Sequence, residues 1–188
     1  MLKTSLRYSH ELLEAVIEEG DIVVDATMGN GNDTLFLAER VGKKGHVYGF
    51  DVQEQALANT TKRLEENDCL EQATLLLQGH ETVGSILLDK TIKAAVFNLG
   101  YLPKSDKHVV THEATTITAL IALLDRLEEK GRIILVIYDG HDEGKIEKKE
   151  VLSFVSELPQ EKFSVLNYQF INQRNNPPSL ICIERKKD

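Results

Sequence analysis

The stretch Asp21-Ile-Val-Val-Asp-Ala-Thr-Met-Gly-Asn-Gly31 begins as a short apolar run and ends in a loop with two glycines. The apolar run predicts a buried strand, and the pattern that follows Gly31 predicts a helix beginning near Asn32. Glycines at positions 29 and 31 allow the backbone to turn sharply and to approach a ligand closely. The first N–H groups of the helix would face the same ligand. We name residues 27–31 the glycine loop and expect it to bind a cofactor.

Outward from this loop, short apolar runs alternate with helical patterns along the chain. The predicted strands are residues 21–26, 46–51, 73–77, 92–98, 132–138, 163–171 and 179–185. The predicted helices are residues 5–19, 34–41, 53–67, 113–130 and 145–157. Apolar strands separated by helices indicate a parallel sheet covered on both faces, and the last two strands, with no helix between them, indicate an antiparallel hairpin. We predict one α/β domain over residues 1–188, with a Rossmann-like, mostly parallel seven-stranded sheet.

Asp51 ends the second predicted strand, where a carboxylate can accept hydrogen bonds from both hydroxyls of an adenosine ribose. This arrangement does not by itself separate NAD from S-adenosylmethionine. The third glycine of the dinucleotide pattern would fall at Thr34, and its absence counts against NAD. Asp25, at the end of the first strand, can orient the loop and meet a cationic ammonium group. Asp25 and a polar cluster over residues 78–81 favour the methyl donor.

A second polar cluster, Gln78-Gly-His-Glu81, follows the third predicted strand. The carboxyl ends of parallel strands form the ligand crevice of open α/β sheets, so His80 and Glu81 could hold an adenine. A helix start, with Glu81 near the positive end of the helix dipole, is the alternative. The residues themselves leave both interpretations open.

The fourth and fifth strands end in residues suited to an acceptor site. Methyl transfer requires a nucleophile whose lone pair is aimed at the methyl group. Asn98 could hold the hydrogens of an amine and Tyr101 could stack on a planar base, since Asn98-Leu-Gly-Tyr101 resembles the Asn-Pro-Pro-Tyr signature of amino-group methyltransferases. Tyr138 and His141 could position the substrate or help keep the amine neutral. An ordinary turn and a surface histidine are the alternatives, and residues 172–178 could form a substrate rim or only a hairpin turn.

Composition limits the remaining functions. The net charge of −8 argues against broad binding to nucleic acid, although Lys104, Lys107 and residues 185–187 form short basic patches. Two distant cysteines exclude a cysteine-based zinc site, and we expect free, buried thiols and no metal. No apolar run reaches the length of a membrane span, and no signal peptide pattern begins the chain. We therefore expect a soluble, cytoplasmic protein.

Five motifs in order resemble those of the rRNA methylase family, whose characterised members are MnmM-type tRNA methyltransferases. They are DATMGNGNDTLFLA (25–38), FDVQ (50–53), FNLGYLP (97–103), VIYDGH (136–141) with Glu143-Gly-Lys145, and FINQRNNPP (170–178). The resemblance spans nearly the whole chain, and Thr27, in place of the first glycine of the usual D-x-G-x-G-x-G loop, looks like a variant of this family. It implies a class I methyltransferase fold and S-adenosylmethionine as the donor. The implied reaction methylates the amine of 5-aminomethyl-2-thiouridine at the wobble position of the tRNA anticodon arm.

The resemblance also implies which residues form the site. By resemblance, the donor is expected to contact Asn30, Asn32, Asp51, Gln53, His80 and Glu81. The loop pattern itself adds Asp25, Thr27, Gly29 and Gly31 to the expected cofactor-binding residues. The expected substrate-side residues are Asn98, Tyr101, Tyr138 and His141. A homodimer could assemble a basic groove from Lys104, Lys107 and residues 185–187. A methyltransferase of rRNA or of a small amine and an NAD-binding oxidoreductase are the alternatives.

Overall fold

The computed structural model describes residues 1–100 and 111–187, and these residues form a seven-stranded sheet. The strands are β1 (Ile22–Asp25), β2 (His46–Asp51), β3 (Ala73–Leu77), β4 (Ile92–Leu99), β5 (Leu127–Ile137), β6 (Phe163–Tyr168) and β7 (Ser179–Arg185). Their order is β3-β2-β1-β4-β5-β7-β6. The first five strands pair in parallel, whereas β7 is antiparallel to both β5 and β6. The predicted fold, with its antiparallel C-terminal hairpin, is confirmed.

Helices cover both faces of this sheet. Within the described residues they are α1 (Ser5–Glu14), α2 (Asn32–Val41), α3 (Glu54–Glu65), α4 (Val83–Leu87), α5 (Glu113–Leu124) and α6 (Asp142–Ser156). One buried cluster unites Phe50 and Phe97 with α4, α5 and α6. The other unites Val23 and Val136 with α1, α2 and α3. Because apolar side chains leave both faces of each central strand, the sheet is buried on both sides, and the carboxyl edge is where open α/β sheets bind ligands.

The prediction of a helix over residues 113–130 is wrong over its last third, residues 125–130. The helix α5 ends at Leu124, and β5 begins inside the segment predicted as helical. Arg126 explains the early end, because its guanidinium group donates hydrogen bonds to the carbonyls of Ala122, Gly84 and Leu88. These bonds satisfy a carbonyl of the last turn of α5 and also join α5 to α4. The helix α1 likewise ends at Glu14 and does not continue to residue 19.

Two predictions from composition concern the thiols and the membrane. Cys69 and Cys182 are free and buried, as predicted. Among the helices of the described residues, none has the length and apolarity needed to cross a membrane.

Candidate active site

The glycine loop follows β1 directly and ends where α2 begins. Gly29 and Gly31 have φ angles of 51° and 78°, in the left-handed region that favours glycine. A Cβ atom on Gly31 would lie 2.9 Å from the Cα atom of Thr60, so the loop could not approach α3 with a larger residue there. The hydroxyl of Thr60 also donates to the carbonyl of Gly29 at 3.2 Å. Packing against α3 therefore fixes the shape of the loop.

Asn30, in the same loop, makes two further contacts with α3. Its side-chain oxygen accepts a hydrogen bond from Asn59 Nδ2 at 2.9 Å, and its carbonyl accepts one from Arg63 Nε at 2.8 Å. Asn32 is the first residue of α2 and is exposed. The side-chain nitrogen of Asn30 and the side chain of Asn32 are therefore polar groups that can bind a ligand at the carboxyl edge.

Asp51 lies beside the loop at the end of β2. Its Oδ2 atom accepts a hydrogen bond from the Gly29 N–H, and its Oδ1 atom accepts one from the Gln53 N–H, both at 3.0 Å. An ionised carboxylate has about four acceptor positions, so each oxygen can accept a further hydrogen bond from a ligand. The structure therefore brings together Gly29, Asp51 and Gln53, and their contact with a cofactor stays a prediction.

Asp25 lies beneath the glycine loop and has no solvent exposure. Its carboxylate accepts hydrogen bonds from the Thr27 N–H at 3.2 Å and from the Thr34 hydroxyl at 2.7 Å. Burial, with a contribution from the charge of Asp33, raises the pKa of Asp25 from 3.8 to about 7. The side chain shapes the loop from the interior and is not placed to contact an ammonium group. Thr34, which stands where a dinucleotide fold has glycine, takes part in the same contact.

His80 is turned into the protein and does not face the crevice. The ring is 7% exposed; its Nδ1 atom lies 3.1 Å from the carbonyl of Ala26, and its Nε2 atom lies 3.4 Å from the Thr116 hydroxyl. Burial lowers the pKa of the imidazole, so the ring is neutral and donates its proton to the Ala26 carbonyl. His80 thereby joins the end of β1 to α5, whereas its neighbour Glu81 is exposed. A direct contact between His80 and a ligand stays a prediction.

Asn98 forms the centre of the acceptor side, which we define as Asn98, Asp33 and Tyr138. The backbone N–H of Asn98 donates to Thr27 Oγ1 at 2.7 Å. Its side-chain Nδ2 donates to Asp33 Oδ2 at 2.5 Å. Because the amide nitrogen is bound to Asp33, the side-chain oxygen is the atom that can accept a hydrogen from a substrate amine.

Asp33 and His10 also belong to this side of the site, and neither was predicted from the sequence. The second carboxylate oxygen of Asp33 lies 2.6 Å from His10 Nε2, and the His10 ring stacks on Phe36 with centroids 4.1 Å apart. Asp33 falls within the first sequence motif, which is a signal that could have identified it. His10 lies on α1, before the first strand, and only the tertiary contact reveals it.

Tyr138 and His141 follow β5, as predicted, but they have different surroundings. Tyr138 packs against Gly100, and burial, together with the charge of Asp33, raises the pKa of its hydroxyl. His141 caps α6, because its Nδ1 atom accepts the Gly144 N–H at 2.9 Å. This contact gives His141 a structural role, and a role on substrate stays a prediction. Tyr101 lies outside the described residues.

A cleft of about 270 Å³ opens beside the end of β5. Its lining includes Phe170, Asn176 and Pro177 from the loop that joins β6 to β7, and also Asp139 and Lys148. The last two residues form an ion pair at 2.9 Å. The loop over residues 172–178 therefore contributes to the rim of a concavity at the carboxyl edge.

The basic residues 185–187 lie at the opposite edge of the sheet. Arg185 pairs with Phe163 in the hairpin ladder and donates to the carbonyl of Leu127, the first residue of β5. Because β7 runs antiparallel to β5, its end is far from the carboxyl edge. Within one chain these residues cannot form the predicted basic groove at the site. Lys104 and Lys107, the other part of that prediction, lie outside the described residues.

Comparisons with known proteins agree with this architecture. The family model described as "Putative rRNA methylase" matches residues 47–184. A tRNA (mnm5s2U34)-methyltransferase, chloroplastic, from Arabidopsis thaliana is 34% identical over 98% of this chain and 70% of its own length. The "putative rRNA-methylase" of Clostridium thermocellum has a TM-score of 0.96 and 47% identity, covering 98% of this chain and 99% of its own.

Two other solved structures extend the comparison. A "putative methyltransferase" from Streptococcus mutans, solved in complex with SAH, has a TM-score of 0.90 and 46% identity over 98% of this chain and 99% of its own. An O-methyltransferase from Thermotoga maritima, at 15% identity and a TM-score of 0.68 over 97% of this chain and 64% of its own, shares the fold alone. These similarities set aside the NAD-dependent oxidoreductase as an alternative. The chain belongs to the rRNA methylase family and is a methyltransferase with the class I fold.

Proposed function

We propose that this chain transfers a methyl group from S-adenosylmethionine to the amine of 5-aminomethyl-2-thiouridine at the wobble position of tRNA. The observation that carries the proposal is the hydrogen bond of 2.7 Å between Thr27 Oγ1 and the Asn98 N–H. This hydrogen bond joins the glycine loop, which is suited to the methyl donor, to Asn98, whose side-chain amide is suited to an amine acceptor. The activity for which the Arabidopsis relative is named supports the identity of the acceptor.

The donor side fits S-adenosylmethionine. Positive φ angles at Gly29 and Gly31 bring the backbone close to a ligand, and Asp51 keeps acceptor positions for the ribose hydroxyls. The complex of the Streptococcus mutans protein with SAH, the demethylated product, supports the same cofactor here. We assign direct contacts to Gly29, Asn30, Gly31, Asn32, Asp51, Gln53 and Glu81. Asp25 and Thr27 hold these residues in place from the protein side, as do the internal contacts of His80, whose direct contact with the donor stays a prediction.

The acceptor side performs the orientation that methyl transfer needs. When bound, S-adenosylmethionine supplies a sulfonium methyl group, so that the N–C bond forms as the S–C bond breaks and its electron pair stays on sulfur. Asn98 accepts a hydrogen bond from the amine and thereby points the nitrogen lone pair toward the methyl group. Tyr138, whose raised pKa keeps the hydroxyl protonated, donates to the substrate and does not act as a base. Tyr101 is proposed to stack on the base, and His141 to help position it.

A chain with a net charge of −8 can bind tRNA only where positive charge is gathered locally, near the site. The wobble base must leave its stack to reach the carboxyl edge, and the cleft beside β5 offers room for a neighbouring nucleotide. A homodimer in which the partner brings residues 185–187 to the site would supply positive charge. Sedimentation that finds a monomer both with and without tRNA would contradict the dimer. We place the reaction in the cytoplasm, which imaging of a tagged chain tests.

The decisive experiment supplies the purified chain with S-adenosylmethionine and four acceptors. These are tRNA with the 5-aminomethyl group, the same tRNA with unmodified wobble uridine, rRNA, and the free 5-aminomethyl nucleoside. Mass spectrometry of the digested products should find methylaminomethyl-2-thiouridine with the first acceptor only. Methylation of rRNA in its place would overturn the proposal, and equal turnover of the free nucleoside would indicate a small-amine methyltransferase.

A further inference from the structure

Asp33 is held between two side chains at the boundary of the acceptor side. One carboxylate oxygen contacts His10 Nε2 at 2.6 Å, and the other contacts Asn98 Nδ2 at 2.5 Å. The side chain of Asp33 is 11% exposed, whereas that of His10 is 36% exposed. A path of polar contacts therefore runs from the amide that faces the substrate to a ring that reaches solvent.

The proposed reaction requires such a path, because a primary amine is mostly protonated at neutral pH. An alkyl ammonium has a pKa of about 10.4 and carries no lone pair until it loses a proton. Among the described residues of the site, Asn98 does not titrate and the raised pKa of Tyr138 keeps that hydroxyl protonated. Asp25 is fully buried beneath the glycine loop and is bound to Thr27 and Thr34. Asp33 is the carboxylate that touches both Asn98 and a residue open to solvent.

We propose that Asp33 and His10 form a proton relay that deprotonates the substrate ammonium held at Asn98. An N–H bond of the ammonium breaks, its electron pair remains on nitrogen, and Asp33 takes the proton. Asp33 keeps this proton while the N–C bond forms, with His10 Nε2–H donating to its other oxygen. After the methylated amine has left, the proton returns to water by way of His10, which reaches solvent. The methylated amine carries its remaining hydrogens and leaves as a cation. The relay rests on the proposed amine acceptor and assigns two residues that the sequence did not predict.

Charged and titratable groups surround Asp33 from each element packed against it. His10 faces it from α1, Asp25 from β1 and Tyr138 from the residue after β5. On α2 itself, Arg40 lies 5.8 Å from the centroid of the Phe36 ring on which His10 stacks. Stacking on Phe36 fixes the plane of the imidazole and keeps Nε2 directed at the carboxylate. The negative neighbours favour a bound cation, as a substrate ammonium would be.

Two variants test the relay. Asp33→Asn keeps the shape of the side chain but cannot take a proton. His10→Gln keeps a hydrogen-bond donor but cannot pass a proton to water. Their matched controls are Asp21→Asn and His46→Gln, because Asp21 contacts the Glu18 N–H and His46 contacts Thr74, both at the opposite edge of the sheet. We expect Asp33→Asn to lower single-turnover rates roughly 10²–10⁴-fold and His10→Gln to lower them less. Both controls should match the wild type.

The pH profile separates a relay from a merely structural role. With the relay, Asp33 still holds the substrate proton when the N–C bond forms, so the wild-type rate depends little on pH while the substrate binds as an ammonium. In Asp33→Asn the neutral amine must come from solution equilibrium, so the rate should rise about tenfold for each pH unit. A variant profile parallel to that of the wild type would overturn the relay.

Measurements on the free protein complete the test. Calorimetry should find nearly unchanged affinity for S-adenosylhomocysteine in both variants, and a loss as large as the loss of rate would overturn the relay. Asp33→Asn should also lower the pKa of Tyr138, seen as phenolate absorbance that Tyr138→Phe removes, because the charge of Asp33 raises it in the wild type. Unchanged titration would contradict the placement of Asp33. A wild type inactive on aminomethyl tRNA would refute the proposed function itself.

Discussion

Thr27 Oγ1 accepts the backbone N–H of Asn98 at 2.7 Å, so the loop after β1 and the end of β4 form one rigid unit. Glycine at position 27 would lack the hydroxyl that makes this contact. The departure from the usual glycine pattern thus has a physical reason in this chain. It connects the donor side to the acceptor side through a single side chain.

Replacing Thr27 with Val tests this connection. The variant keeps the size of the side chain but leaves the Asn98 N–H without its acceptor, which should cost about 1–3 kcal/mol of unfolding free energy. Denaturant unfolding measures that cost, and turnover should fall with it. Thr27→Ser retains the hydroxyl and should behave as the wild type. Equal stability of the Val and Ser variants would show that the contact contributes nothing.

Asp51→Ala should weaken binding of S-adenosylhomocysteine by about 1.5–3 kcal/mol, because hydrogen bonds to a charged acceptor are lost. The same variant frees the N–H groups of Gly29 and Gln53, so part of the loss comes from a looser loop. The affinity of Asp51→Asn, which keeps one oxygen acceptor, should fall between those of the wild type and Asp51→Ala. Calorimetry checks these values, and unchanged affinity in Asp51→Ala would remove Asp51 from the donor site.

Asp25→Asn should change how stability depends on pH. The pKa of Asp25 is raised from 3.8 to about 7, so the native state binds a proton that the unfolded state has released. The stability of the wild type therefore falls as the pH rises between about 4 and 7. Asparagine can still accept from the Thr27 N–H and carries no charge, so the variant should lack this decline. Denaturant unfolding from pH 4 to 8 measures the two slopes, and parallel curves would exclude a raised pKa.

Phe170→Ala should weaken tRNA binding by about 1–3 kcal/mol, the usual range for losing one base-stacking aromatic. The ring lines the cleft beside β5, away from the donor side, so affinity for S-adenosylhomocysteine should not change. Val165→Ala is a suitable control, because Val165 is exposed in the middle of β6. Filter binding with the anticodon arm measures the effect. Identical affinities of the two variants would exclude the cleft as a nucleotide site.

The sequence predicted the sheet because apolar strands and amphipathic helices have distinct periods. It did not predict the end of α5, since the contacts of Arg126 join segments that are distant along the chain. The glycine loop and Asp51 could be predicted because their chemistry is local. His10 could not, because a lone histidine on a helix carries no periodic or spacing signal until the fold places it against Asp33. The internal contacts of His80 with the Ala26 carbonyl and Thr116 were also not predicted, because they too join distant segments, and its contact with a ligand stays a prediction.

The antiparallel direction of β7 has a practical consequence for surface-based assays. Residues 185–187 lie at the edge of the sheet opposite to the glycine loop, so a linker attached there would lie on the side away from the carboxyl edge. A chip or bead that holds the protein by this end would present the carboxyl edge outward. Binding of long RNA could then be followed without the support blocking its approach.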